Sequence, residues 1–65
     1  MTTYTTAFYR TEAAAEIKVL NWFRAALMWE EAVRVYPNPV GDLAKRDIAI
    51  MSKKASTCRA MMAEA

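Results

Sequence analysis

Sixty-five residues allow one small domain, and nine basic against seven acidic side chains leave a net charge of +2, too balanced to announce nucleic acid by itself. One cysteine, Cys58, and no histidine exclude an internal disulfide and a zinc site. A chain this short needs a staple, and oligomerisation is the one that remains. The unpaired cysteine points to a reducing cytoplasm. The opening MTTYTTAFYR lacks the basic-then-apolar order of a signal peptide, and the apolar run AALMW is far too short to span a bilayer. A cytoplasmic protein without membrane contact is therefore expected.

Taken in chain order, Thr2, Thr3, Thr5 and Thr6 with Tyr4, Phe8 and Tyr9 have irregular or strand-like preferences. Thr11 is one N-cap candidate, with Glu12 and Glu16 behind it. The apolar stripe nevertheless reaches further back. Tyr4, Phe8, Ala15, Val19, Trp22, Ala26, Trp29, Val33 and Tyr36 follow steps of three or four, with Thr11 filling the gap. This spacing predicts a helix from about residue 5 to residue 36. Pro37 ends it, because proline lacks the helical N–H and disfavours helical backbone at Tyr36.

The chain's single glycine and both prolines fall in YPNPVGD, so the punctuation is in one place. A turn is predicted over 37–39, with Asn38 as N-cap and Pro39 opening a second helix that runs to about residue 62. Gly41 and Asp42 offer a slightly later start. The second stripe is Val40, Ala44, Met51, Ala55, Cys58 and Met62, flanked by Leu43, Ile48, Ile50 and Met61. Asp47 falls inside it. In an antiparallel hairpin turning at Asn38, Asp47 lies level with Trp29, where it either accepts the indole N–H or sits in water at the stripe's edge.

The expected fold is thus all-α, a single two-helix αα-hairpin. Its difficulty is VLNWFRAALMW (Val19 to Trp29), in which only Asn21 and Arg24 are polar. Trp22, Ala26, Trp29 and Val33 share one side of the helix. Leu20, Phe23 and Leu27, with Ala13 and Ile17 nearby, fall on the other. One second helix covers only one side. The simplest closed solution is a homodimer of hairpins forming a four-helix bundle, with Ile17, Leu20, Phe23 and Leu27 at the dimer interface. Arg24, Glu31 and Arg34 interrupt this second face and are expected at its rim. The second helix also runs out opposite Thr11, so TTYTTAFYR overhangs with three aromatics.

No constellation for catalysis appears, and no enzyme is expected. Cys58 lies on an apolar stripe and reads as a buried thiol, not a nucleophile. Glycine-rich phosphate loops and metal-ligand spacings are missing, and no cofactor is expected. Lys45, Arg46, Lys53, Lys54 and Arg59 make the second helix basic, which keeps an RNA- or DNA-binding hairpin as the alternative. Asp42, Asp47 and Glu64 dilute that charge. Tyr4, Phe8, Tyr9 and Tyr36 are the candidate partner-binding residues, because the hairpin alone covers them poorly and tyrosine is enriched at binding hot spots.

The leader TTYTTAFYR, the aromatic helix NWFRAALMWEEAVRVY and the PNPVGD turn together resemble small phage-encoded helical-hairpin proteins that disable host regulators, of the quorum-sensing anti-activator type. The resemblance is one of plan, without a shared motif, and carries no residue assignments. It implies a dimeric inhibitor of a host regulatory protein such as a LuxR-type transcription factor, and of the type IV pilus assembly ATPase. A plasmid-copy-number hairpin dimer that binds RNA has a similar outline.

Overall fold

The computed structural model describes residues 4–64; Thr2 and Thr3 of the leader lie outside the described residues. All regular structure among them is helical: α1 (Thr6–Lys18), α2 (Trp22–Arg34) and α3 (Asp42–Glu64). The expected all-α class is observed. The expected two-helix layout is not, because the single helix read over 5–36 is broken at residues 19–21.

The break is a helix stop followed at once by a helix start. Leu20 takes φ +60°, the left-handed region that an L side chain enters at a cost of about 1 kcal/mol. The Leu20 N–H then donates to the Ile17 carbonyl (3.0 Å) and the Asn21 N–H to the Glu16 carbonyl (2.9 Å). These two bonds are the Schellman closure, which satisfies carbonyls left over at the end of α1. Lys18 stands in that last turn, where the helix dipole favours a cation. Asn21 next caps α2, accepting from the Arg24 N–H (3.4 Å). One residue thus closes α1 and opens α2. A three-residue corner also resets the helical phase. The side of α1 turned inward is Thr6, Tyr9, Ala13 and Ile17, while Ala15 and Val19, placed on the stripe by unbroken periodicity, are exposed.

The start of α1 agrees with the expectation near residue 5. Thr5 is the N-cap, accepting from the Phe8 N–H (3.1 Å), and Thr11 donates instead to the Ala7 carbonyl inside the helix (3.0 Å). The predicted turn at 37–39 widens to a connection over 35–41. Asn38 adopts φ +51°, the Val40 N–H closes a tight turn onto the Asn38 carbonyl (2.7 Å), and Gly41 takes φ +95°. Asn38 therefore caps nothing, and α3 starts at Asp42, the later of the two expected positions.

Both α1 and α3 pack along α2. The contacts between helices are made by small residues: Ala13, Ala25, Ala26, Ala32, Ala44 and Ala55 are buried, with Trp29, Met51 and Cys58 the larger buried members. Alanine lets helix axes approach closely, so these contacts are tight but bury little apolar area. The molecule measures 36 × 28 × 16 Å. Its short axis is not far above one helix diameter of about 10–12 Å. It is an open layer of three helices, with α2 in the middle.

The strain at Leu20 gives a stability test. Leu20 is 68% exposed within one chain, so in dilute, unassociated protein little packing is lost on truncation. Leu20→Gly is expected to raise thermal stability by about 0.5–1 kcal/mol, whereas Asn21→Ala is expected to lower it by about 1 kcal/mol through loss of the cap. Thermal unfolding followed by circular dichroism checks both. A fall for Leu20→Gly would mean that the corner is not held as described.

Candidate protein-binding surface

Because α1 folds back antiparallel to α2, its N-terminus lies beside the C-terminus of α2. The Thr6 hydroxyl pins the two together by donating to the Ala32 carbonyl (3.0 Å). The aromatic leader therefore meets the 35–41 connection within one chain. A groove of about 370 Å³ is lined by Tyr4, Thr5, Thr6, Ala7, Val35 and Pro37. The segment expected to overhang does not stand alone: the fold-back of α1 carries Tyr4, Phe8 and Tyr9 to the end that holds Tyr36.

The three leader aromatics pack on one another. Tyr4 and Phe8 stack with ring centroids 4.1 Å apart, and Tyr9 meets both edge-on at 6.0 and 5.4 Å. These geometries suit the ring quadrupoles. Tyr4 and Phe8 remain 48% and 37% exposed, while Tyr9 turns partly inward against the core. Tyr36 is different in kind. Its ring packs against the core, and its hydroxyl donates to Asp47 Oδ2 (2.8 Å). That bond, then burial, then the carboxylate's charge push the Tyr36 hydroxyl above the ordinary tyrosine range. Within this aromatic end, Tyr4 and Phe8 are open to a partner and Tyr36 ties the connection to α3.

The Tyr36–Asp47 bond replaces both readings of Asp47, which neither accepts from Trp29 nor sits free in water at the stripe's edge. The seven-residue connection shifts α3 along α2 by about two turns relative to a turn at Asn38. Lys54, not Asp47, comes level with Trp29, its ammonium lying 5.1 Å from the indole centroid as a cation–π contact. Trp29 is 5% exposed, and its Nε1 has no hydrogen-bond partner among the described residues.

The four residues assigned to a dimer interface divide. Leu20 and Phe23, 68% and 55% exposed, stand at the corner, and half-buried Leu27 follows Phe23 on the outer side of α2. Ile17 points elsewhere, into an apolar groove with Trp22. Arg24 approaches Glu16 at 3.5 Å, and Arg34 grips Glu31 through two bonds of 2.8 and 2.6 Å. Arg59 grips Glu30 as a true fork, Nε donating to Oε2 and Nη2 to Oε1 (2.8 and 2.7 Å), where Arg34 donates both bonds to Glu31 Oε2, and it holds the Glu30 carboxyl below its usual range. Arg59 is therefore engaged, as is Lys54, whereas Lys45, Arg46 and Lys53 stand exposed.

Cys58 is buried, and burial pushes its thiol up, away from reactive thiolate. Among the described residues no group of three or more cysteine, aspartate or glutamate side chains is arranged to hold a metal, and no helix is long and apolar enough to cross a membrane. No protein-family model, curated protein or solved structure matches this chain.

A raised tyrosine favours the protonated form in the folded state. Its contribution is fully present below the ordinary tyrosine value of about 10 and is lost as pH climbs from there through the raised value of the folded state. Tyr36→Phe is accordingly expected to lower the melting temperature at neutral pH, with the gap from wild type closing above that range. A pH series of melting curves measures this; a gap that persists at high pH would rule out the hydroxyl as its source.

Proposed function

We propose that this chain is a non-enzymatic, protein-binding adaptor or inhibitor that works as a homodimer in the cytoplasm. The observation that supports this best is the aromatic end: Tyr4 and Phe8, stacked and open, beside a groove edged by Val35 and Pro37. Clustered aromatics of low conformational entropy are what interfaces use as anchors. The resemblance to phage anti-activators suggests the class of target, a host regulatory protein such as a LuxR-type transcription factor, with the type IV pilus assembly ATPase as a further candidate.

Leu20, Phe23 and Leu27 support the dimer. Two copies meeting through this outer side close over the apolar residues that one chain leaves open, as in a helical bundle. Ile17 does not belong to that contact, since it faces the other way. The alternative is a nucleic-acid-binding helical dimer, favoured by the exposed Lys45, Arg46 and Lys53 of α3.

Phe8→Ala is expected to weaken binding to a purified LuxR-type regulator by roughly 2 kcal/mol if Phe8 is an anchor, with helicity and melting temperature kept. Calorimetry on wild type and variant measures it. A defined RNA bound at nanomolar affinity in physiological salt would instead establish the alternative. For the dimer, Phe23→Glu is expected to abolish self-association in sedimentation experiments, since an unpaired charge in an apolar contact is costly. A wild-type chain that stays monomeric at high concentration would refute that part of the reading.

A further inference from the structure

The side of the layer opposite Phe23 is a valley. Trp22 and Trp29, seven residues apart on α2, face the same way. Trp22 lines a groove of about 300 Å³ with Ile17 of α1 and Ile50, Lys53, Lys54, Thr57 and Cys58 of α3. Trp29 lines a second, more open depression of about 650 Å³ whose other lining residues include Arg10, Ala14 and Lys18 of α1. Lys54 links the two, because it lines the first groove and its ammonium lies over the Trp29 ring. Half-buried Trp22 thus forms the open floor, Trp29 lies enclosed beneath Lys54, and α1 and α3 are the two banks.

The chemistry of the banks is one-sided. Arg10 and Lys18 stand on the α1 bank, and Lys53 and Lys54 on the α3 bank; no carboxylate lines either depression. The carboxylates that form ion pairs among the described residues, Glu16, Glu30 and Glu31, are engaged by Arg24, Arg59 and Arg34, and none pairs with a bank cation. Ile50 and Met61, on the same side of α3, stay exposed although large and apolar. The valley therefore joins an apolar floor to cationic rims on both sides.

We propose that this valley receives an acidic amphipathic helix of a partner protein, which lies over Trp22, Ile17 and Ile50 as a fourth helix and sets its carboxylates against Arg10, Lys18, Lys53 and Lys54. The proposal rests on the protein-binding reading above and specifies the kind of segment bound. Charge selects this occupant. A basic helix would place like charges together on both rims, and a neutral one would leave Arg10, Lys18 and Lys53 without carboxylate partners. An apolar stripe flanked by carboxylates satisfies the open floor of Trp22, Ile17 and Ile50 and the rims together, in the helix-in-groove mode. A nucleic acid would use the cations but leave the apolar floor, with Ile17 and Ile50, unanswered.

The test uses a synthetic amphipathic peptide of about 18 residues, roughly five turns, with a leucine stripe and glutamate flanks, and a twin in which lysines replace the glutamates. The glutamate peptide is expected to bind the full chain saturably, to shift tryptophan emission and to weaken as salt rises. The lysine twin is expected not to bind. The double variant Lys53→Glu, Lys54→Glu, checked for helicity, is expected to lose about tenfold or more in affinity, whereas Phe8→Ala is expected to bind the peptide as wild type does. Equal binding of both peptides, or an unaffected double variant, overturns the proposal. So does displacement of the peptide by an oligonucleotide or by self-association through the valley. If Phe8→Ala loses the regulator while the double variant keeps it, the protein-binding reading stands and the valley assignment falls.

Discussion

The corner at residues 19–21 is the constraint from which the other features follow. A straight helix from residue 5 to residue 36 would leave an apolar girdle with one covering helix. By placing Leu20 in the left-handed region and using Asn21 both to close α1 and to cap α2, the chain turns its own N-terminal third back along α2. The two sides of the tryptophan stripe then gain cover from α1 and α3. Thr6 reaches Ala32, and the aromatic leader meets the 35–41 connection. The turn costs about 1 kcal/mol at Leu20 and permits the whole α1–α2 contact.

The cover is nonetheless thin. Alanine at 13, 25, 26, 32, 44 and 55 lets the helices approach but contributes little area, and Met51 is the largest side chain that is almost wholly enclosed. An open layer exposes two broad sides, where a closed bundle would expose none of its interior. Such a layer keeps apolar residues at its surfaces: Phe23 and Leu20 on one side, Ile50 and Met61 by the valley on the other. Large exposed apolar groups on a small chain are more economically explained by contacts with other proteins than by intrinsic stability.

Helix content, the end of the central helix before Pro37, and the buried stripe Ala44, Met51, Ala55 and Cys58 were legible in sequence, because each rests on local chemistry or on periodicity within one helix. So was the start of α1. The corner was not. Its backbone requirement is met by leucine where glycine would have announced it, and the stripe's steps of three and four continue numerically through residues that are not helical. The visible traces were a cation at Lys18 and a capping residue at Asn21, a stop-and-start pattern outweighed by periodicity. The register error at Asp47 has a related origin. Proline placement located the connection but not its length, and a few extra residues there moved α3 by about two turns, exchanging Asp47 for Lys54 beside Trp29. Of the aromatic end, the residues were legible but not their meeting point, which depends on the fold-back.

The distribution of charge was likewise hidden by its sum. A net +2 describes a chain with no strong field, yet the ion pairs Arg24–Glu16, Arg34–Glu31 and Arg59–Glu30 consume opposite charges locally. What they leave is uneven. Arg10, Lys18, Lys53 and Lys54 gather around the tryptophan floor, drawn from helices that are far apart in sequence. Over distances shorter than the screening length, about 8 Å at physiological salt, a ligand approaching the valley meets these cations and not the whole-chain average. The same fold-back that covers the girdle thus sets the α1 cations across from those of α3. A helix layer stabilised mainly by alanine contacts becomes, on one side, an apolar floor between two basic banks.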